Sequence, residues 1–286
     1  MRAGVVGTGE MGLAMAGHMH AKGFDVACFD VSIERRALAG EKGLSVAGSL
    51  RDLAGQAEVF ILAVATDDQV EAVAMELAET AADGASIVVT ATVSPHTLSS
   101  LGPRVTARNK RLVDAPVVYG ASGAREGRLL SLCGGTEEDI ERVRPVLMCY
   151  SRDVQRIGPL GAGQVAKSCN NLLHWVHCVA NFETLLIAKR FGIDAQRIRE
   201  VLLDCPGTNG TLRRWDNTRF TWQEKDMDLT LDLAQKAGLV LPLAGQVDQL
   251  IKTLNADAVK ALLYGPEAHY LGRSVKPLPP AEGGLG

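Results

Sequence analysis

The chain opens MRAGVVGTGEMG (residues 1–12), and the reading of this stretch decides the fold. Arg2–Val6 is a short apolar run of the kind found in strands covered on both faces. Gly7-Thr8-Gly9-Glu10-Met11-Gly12 follows, a G-x-G-x-x-G placed where helical periodicity begins. In a chain with 30 glycines that spacing has little weight alone, so the strand before it and the helix after it decide. Gly7 suits a tight turn, Gly9 a close backbone approach to a pyrophosphate, and Gly12 tight helix–strand packing. Glu10 and Met11 open the helix whose first N–H groups would face the phosphates. The plainer reading is a βα turn closed by glycines and nothing more.

Outward from this turn, short β-branched runs alternate with helical stretches. Residues 26–29, 59–64, 86–89 and 111–113 read as strands, and 11–22, 33–41, 68–79 and 94–107 as helices. Ser94 and Pro95 supply an N-cap and a first-turn proline. Strand alternating with helix predicts an α/β, parallel, doubly wound sheet. Asp30 ends the second strand, 18 residues after Gly12, where an acid would accept hydrogen bonds from ribose hydroxyls and oppose a 2′-phosphate. Val31 and Ser32 follow it, with Arg35 and Arg36 a turn further on, so NAD is the expected cofactor and NADP the alternative.

Beyond residue 160 the pattern changes. No proline or glycine interrupts 164–191, which predicts one helix about 40 Å long at 1.5 Å per residue. Only helices are read after it: 195–203, 229–237, 243–254 and 258–263. The expected organisation is a dinucleotide-binding domain over 1–160, an all-helical domain over 161–275, and a disordered tail, KPLPPAEGGLG, over 276–286.

Composition removes several classes of function. A formal charge of -3 offers no basic face for nucleic acid, and no apolar run reaches the roughly 18 residues of a membrane span. The first residues carry no signal-peptide pattern, so a cytoplasmic enzyme acting on a small molecule is expected. Six cysteines lack CxxC or Cys/His spacing, which argues against a metal site or a disulfide framework. Cys169, beside the lysine singled out next, is expected to be a buried small hydrophobe and not a nucleophile.

GAGQVAKSCNN (residues 161–171) opens the long helix. Lys167 and Asn171 are four apart and share a face, with His174 three beyond. An ammonium on an apolar helix is desolvated, which lowers its pKa toward the range useful for proton transfer. Carbonyl reduction needs a proton for the developing alkoxide, and a lysine can supply it while an asparagine amide orients the substrate oxygen. A lysine that snorkels to water is the bland alternative. His174, Trp175 and Trp215 read as structural, and Arg213-Arg214 as a bidentate carboxylate clamp or, more plainly, a solvated loop.

Four motifs occur in order: GTGEMGLAMAGHM, DAPVVYGASGAREG, GAGQVAKSCNN and KDMDLTLDLA. Together they resemble the β-hydroxyacid dehydrogenase family, related to 6-phosphogluconate dehydrogenase, along nearly the whole chain. The resemblance implies a Rossmann domain followed by an all-helical domain, usually in a homodimer or homotetramer. It implies that Lys167 is the catalytic lysine, that Asn171 orients the substrate, that Lys225 lies by nicotinamide and substrate, and that Thr92 lies near the nicotinamide. The family's substrate motif runs D-A-P-V-S-G-G, with a serine hydroxyl and backbone N–H groups on the substrate carboxylate. Here Val118 and Tyr119 replace Ser-Gly, while Gly120 and Gly123 remain as backbone donors. Either Tyr119 serves as a donor in place of the serine, or the substrate differs. Two rivals stay open: an imine or non-carboxylate carbonyl reductase of the same fold, and a dinucleotide-binding module without turnover.

Overall fold

Five short strands, β1 (Arg2–Val6), β2 (Asp25–Phe29), β4 (Val59–Leu62), β5 (Ser86–Val89) and β6 (Arg111–Asp114), carry the first half of the chain. With β3 (Ser45–Val46) they pair in the order β3-β2-β1-β4-β5-β6, all parallel. The crossovers α1 (Glu10–Ala21), α2 (Ile33–Glu41), α3 (Leu50–Ala54), α4 (Asp67–Thr80) and α5 (Pro95–Thr106) cover both faces. The winding direction reverses at β1, which opens a crevice beyond its carboxyl end, the site where such sheets take ligands. This computed structural model describes residues 1–279 and divides after Lys167 into two compact units.

Alternation along the strands builds two cores. Val5, Ile61, Val88 and Val113 face a layer with Met15, Met19 and Ile140. Val6, Leu62, Val89 and Leu112 face the opposite layer with Leu53, Leu77 and Leu98. Helix starts are set by the sequence: Ser32, Ser49, Thr66 and Ser94 each accept a backbone N–H from the first turn.

The stretch after β6 departs from the simple alternation. β7 (Val117–Val118) continues upward from β6, and β8 (Leu129–Gly134) runs antiparallel to both. α6 (Gly120–Glu126) links β7 to β8; α7 (Glu137–Leu147) then leads to β9 (Ser151–Gly158), which pairs with β8 in parallel. The chain then enters α8 (Ala162–Arg190), 29 continuous residues.

The second unit packs α9 (Ala195–Leu202), α10 (Gly210–Arg213), α11 (Gln223–Lys236), α12 (Pro242–Ile251) and α13 (Ala256–Tyr264) around α8. Its core centres on Trp215 and Phe182, whose rings meet edge-on at 6.0 Å. Arg199 is buried there with the carbonyls of Leu212 and Arg213 and the carboxylate of Asp216 as partners. One correction concerns the all-helical expectation: β10 (Ala268–Tyr270) and β11 (Arg273–Val275) form an antiparallel hairpin. Its turn, Leu271-Gly272, takes φ values of +49° and +76°, and a leucine in that position gives no turn signal in the sequence.

The tail also divides. Leu278 N–H donates to Arg190 O and the Arg190 guanidinium to Lys276 O, so the start of the expected disordered stretch is tied to the end of α8. Residues 280–286 lie outside the described residues. Among the described residues no helix is long and apolar enough to cross a membrane.

Candidate active site

The turn after β1 has the form that its glycines imply. Gly7 sits at φ +90°, and a side chain there would press on Ala63 O at 2.6 Å. A side chain on Gly12 would run into Gly7 O, whereas one on Gly9 would meet no protein atom within 4 Å. The backbone is therefore sealed below the turn and open above Gly9, where no side chain caps α1. This is the cradle a pyrophosphate requires, with the positive end of α1 directed at it. Asp30 stands at the carboxyl end of β2 and its carboxylate is fixed by Thr8 N–H at 2.7 Å and Ser32 N–H at 2.9 Å. Arg36 is turned away, donating to Gly48 O and lying over Phe29. These residues fit a dinucleotide.

A buried carboxylate that sequence reading passed over organises the rest. Asp114, fully buried, ends β6 and accepts Gly161 N–H at 2.6 Å and Gln164 N–H at 3.0 Å. It thus caps α8 from a neighbouring strand. Burial pushes its pKa up to about 6, against the opposing effect of the backbone N–H donors. Gly134 and Gly163 make room: a Cβ on Gly163 would sit 2.6 Å from Asp114 Oδ2, and one on Gly134 would collide with Oδ1. Gln164, also buried, donates to Ala91 O at 2.8 Å and accepts Val93 N–H at 3.1 Å. Those bonds bracket Thr92, the residue expected near the nicotinamide. One turn further along α8, half-buried Lys167 donates from Nζ to Val117 O at 2.8 Å. The lysine is held against the loop that follows β6.

That loop accounts for the Val-Tyr replacement. Val118 is buried and paired with Leu130, an apolar residue where the family motif carries a hydroxyl. Tyr119 adopts φ +84°, a left-handed conformation that costs a non-glycine residue about 1–2 kcal/mol. A glycine here meets no such cost, a physical reason for the family's residue. Tyr119 accepts a hydrogen bond at its phenol oxygen from Arg152 Nη2 at 2.6 Å. Gly123, expected as a backbone donor to substrate, instead gives its N–H to Tyr119 O. Its missing side chain leaves room for Tyr119 Cβ, which a Cβ there would approach to 2.7 Å. The loop is bolted to α1: His18 Nε2 lies 2.9 Å from Ala124 O and 3.1 Å from Arg125 O, and Arg125 pairs with Glu10.

In the second unit, Asn171 is buried and accepts from Asn170 Nδ2 at 3.2 Å. Lys225 lies in the first turn of α11, its Nζ 6.0 Å from the centre of the Trp222 ring. Trp175 Nε1 donates to Asp226 and so ties α8 to that turn. His174 Nδ1 lies 2.9 Å from the Thr211 hydroxyl, a structural partner. Cys169 is exposed, contrary to expectation, because it lies on an outward stripe of α8 with Val165 and Leu173.

With the geometry in view, comparison with known proteins is direct. Residues 2–158 match the family described as the NAD binding domain of 6-phosphogluconate dehydrogenase. Residues 161–262 match that described as NAD-binding of NADP-dependent 3-hydroxyisobutyrate dehydrogenase. The chain is 32% identical to the 3-hydroxyisobutyrate dehydrogenase of Pseudomonas aeruginosa over 74% of its own length and 72% of the relative's. It is 31% identical to the NAD-dependent L-serine dehydrogenase of the same organism, over 72% and 70%. The 3-hydroxyisobutyrate dehydrogenase structure from Salmonella typhimurium aligns with a TM-score of 0.77 at 27% identity, covering 91% of this chain and 95% of that one. Fold and turn define an NAD(P)-dependent oxidoreductase. The chain belongs to the β-hydroxyacid dehydrogenase family.

Two stability predictions follow from Asp114. Its folded pKa lies above the unfolded value near 4, so folding favours the protonated form. The unfolding free energy should then fall as pH rises from about 4 to about 6, by on the order of 2 kcal/mol, and level off above. Urea denaturation across that range should show this component in the wild type and not in Asp114→Asn. Gly163→Ala, which would push a methyl onto the Asp114 carboxylate and Leu132 O, should lower the unfolding free energy by about 2–4 kcal/mol in the same assay.

Proposed function

We propose that the protein oxidises a small β-hydroxy acid to its keto or semialdehyde form, or runs the reverse reduction, with Lys167 as general base or acid. The observation that carries this reading is the Lys167 Nζ–Val117 O bond of 2.8 Å. It holds the amine beside the substrate loop, on a helix anchored at the end of β6. The bound nicotinamide supplies the hydride acceptor or donor. In the oxidation direction the neutral Lys167 amine takes the hydroxyl proton as the C–H bond breaks; in reduction its ammonium returns a proton to the forming alkoxide oxygen. Asn171 and Lys225 orient the substrate in this proposal, on the family resemblance, and Gly120 directs its N–H to the acid end. Tyr119 borders the same loop. A homodimer or homotetramer is the proposed assembly.

Val118 supports a substrate unlike that of the serine-bearing members, since the hydrogen bond from a hydroxyl at that position is missing. Relatives are named for 3-hydroxyisobutyrate, L-serine and L-threonate, a range showing how widely small β-hydroxy acids vary within this fold. NAD is the proposed cofactor, supported by the Asp30 carboxylate at the end of β2 and the arginine turned away behind it.

Nicotinamide absorbance with a panel of β-hydroxy acids and semialdehydes tests the reading. Lys167→Ala should lower kcat by at least about 100-fold, the usual range for a general acid/base, with the dissociation constant for the dinucleotide unchanged. Unchanged turnover in that variant would sink the mechanism. On the cofactor, wild-type kcat/KM should favour NAD over NADP. Asp30→Ala should narrow the ratio by at least about tenfold, because a like-charge clash with the 2′-phosphate is removed. A wild-type preference for NADP would refute the ribose assignment.

A further inference from the structure

Arg152, the second residue of β9, is exposed, and among the described residues no carboxylate pairs with it. Arg111, Arg125 and Arg144 of the same unit each pair with an acid. The neighbouring Asp153 is engaged locally, by Val154 N–H and the Gln155 amide. What Arg152 does contact is Tyr119: Nη2 donates to the phenol oxygen at 2.6 Å, and the guanidinium carbon lies 4.6 Å from the ring centre. The ring and hydroxyl together fix an arginine that would otherwise be free to rotate.

The register shows where this pair stands. Val118 pairs with Leu130, and Leu130 with Asp153, so Arg152 lies near the start of the strand next but one to the substrate loop. Tyr119 spans that gap from within the loop. Its left-handed backbone persists against a conformational cost, and such strain gathers where structure is kept for function. The same two-residue replacement removes the serine hydroxyl and introduces the ring that holds a cation.

Resting on the β-hydroxy acid reading above, we propose that Arg152, positioned by Tyr119, is the residue that binds the carboxylate of the substrate. The guanidinium offers a planar fork that matches a carboxylate and takes over from the absent hydroxyl. Tyr119 is then a positioning residue and Arg152 the determinant of preference for an acid over a neutral analogue.

The test compares the β-hydroxy acids of the panel above, 3-hydroxyisobutyrate, L-serine and L-threonate among them, with their primary amides, in the wild type and in Arg152→Ala, Arg152→Lys and Tyr119→Phe. For the acid that the wild type oxidises, Arg152→Ala should raise KM by about 10–100-fold, the loss of one charge-assisted hydrogen-bonded pair. The KM for the matching amide and kcat should stay unchanged, and the melting temperature should fall by only a few degrees, the loss of one exposed contact. Arg152→Lys should recover part of the loss, and Tyr119→Phe should raise the acid KM several-fold without touching the amide. An acid-to-amide KM ratio equal in wild type and Arg152→Ala would overturn the proposal. In that case, abolition of turnover by Lys167→Ala would still leave the β-hydroxy acid reading standing. Failure of the wild type on every β-hydroxy acid of the panel above would remove that reading and this proposal with it.

Discussion

The interaction on which the site depends is the bond from a buried carboxylate to the first turn of a helix. Asp114 ends the last parallel strand of the sheet's central run and receives Gly161 and Gln164 N–H. A helix N-terminus carries a partial positive charge and unpaired donors, so a carboxylate placed there satisfies both. The consequence reaches beyond capping. α8 starts at a fixed height over the sheet, and Lys167, one turn in, meets the carbonyl of Val117 three residues past Asp114. Gln164 adds the second constraint by bonding on both sides of Thr92. Three segments distant in sequence, after β5, after β6 and at the start of α8, are thereby held by hydrogen bonds among buried groups. Such bonds tolerate little displacement, because an unmade buried bond costs more than a made one contributes.

A second clasp acts on the other side of the same loop. His18 reaches the last carbonyls of α6 while Glu10 pairs with Arg125, so the helix that opens at the dinucleotide turn is fastened to the loop carrying Tyr119 at two points. The ion pair is exposed and contributes little by itself. The half-buried imidazole against Gly127 has closer packing: a Cβ there would come within 2.9 Å of the ring. The dinucleotide turn and the loop carrying Tyr119 share one support.

Much of this was legible in the residues. The periodicity placed β1, α2 and β5 at their observed limits and the long helix to within two residues at its start. The glycine spacing located the turn, and the order of motifs marked Lys167 and the loop beside it. From residue 115 to 158 the reading failed, for physical reasons. β7 has only two residues, β9 is polar at most positions as an edge strand is, and α7 contains Pro145, a residue that argues against a helix when read from sequence. Asp114 was visible only as a letter in a motif. Nothing local distinguishes an aspartate that caps a helix 47 residues later from one that faces water. Cys169 was misjudged because frequency favours burial, while its position on an outward face was decided by which side of α8 packs.

The replacement of Ser-Gly by Val-Tyr shows what structure adds to such a reading. On sequence alone the change leaves open whether Tyr119 replaces the serine as a donor or the substrate differs. The backbone adds that φ at residue 119 lies in the region that favours glycine, although a tyrosine occupies it. A residue at odds with its own backbone persists only where surrounding contacts hold it. The phenol's hydrogen bond, the ring beneath a guanidinium and the space at Gly123 are those contacts. The first two come from Arg152 of β9 and the third from α6, so the tyrosine is held from two elements. If Arg152 takes the substrate carboxylate as proposed, the loop has exchanged a hydroxyl for a held arginine and still offers its donor to an anion.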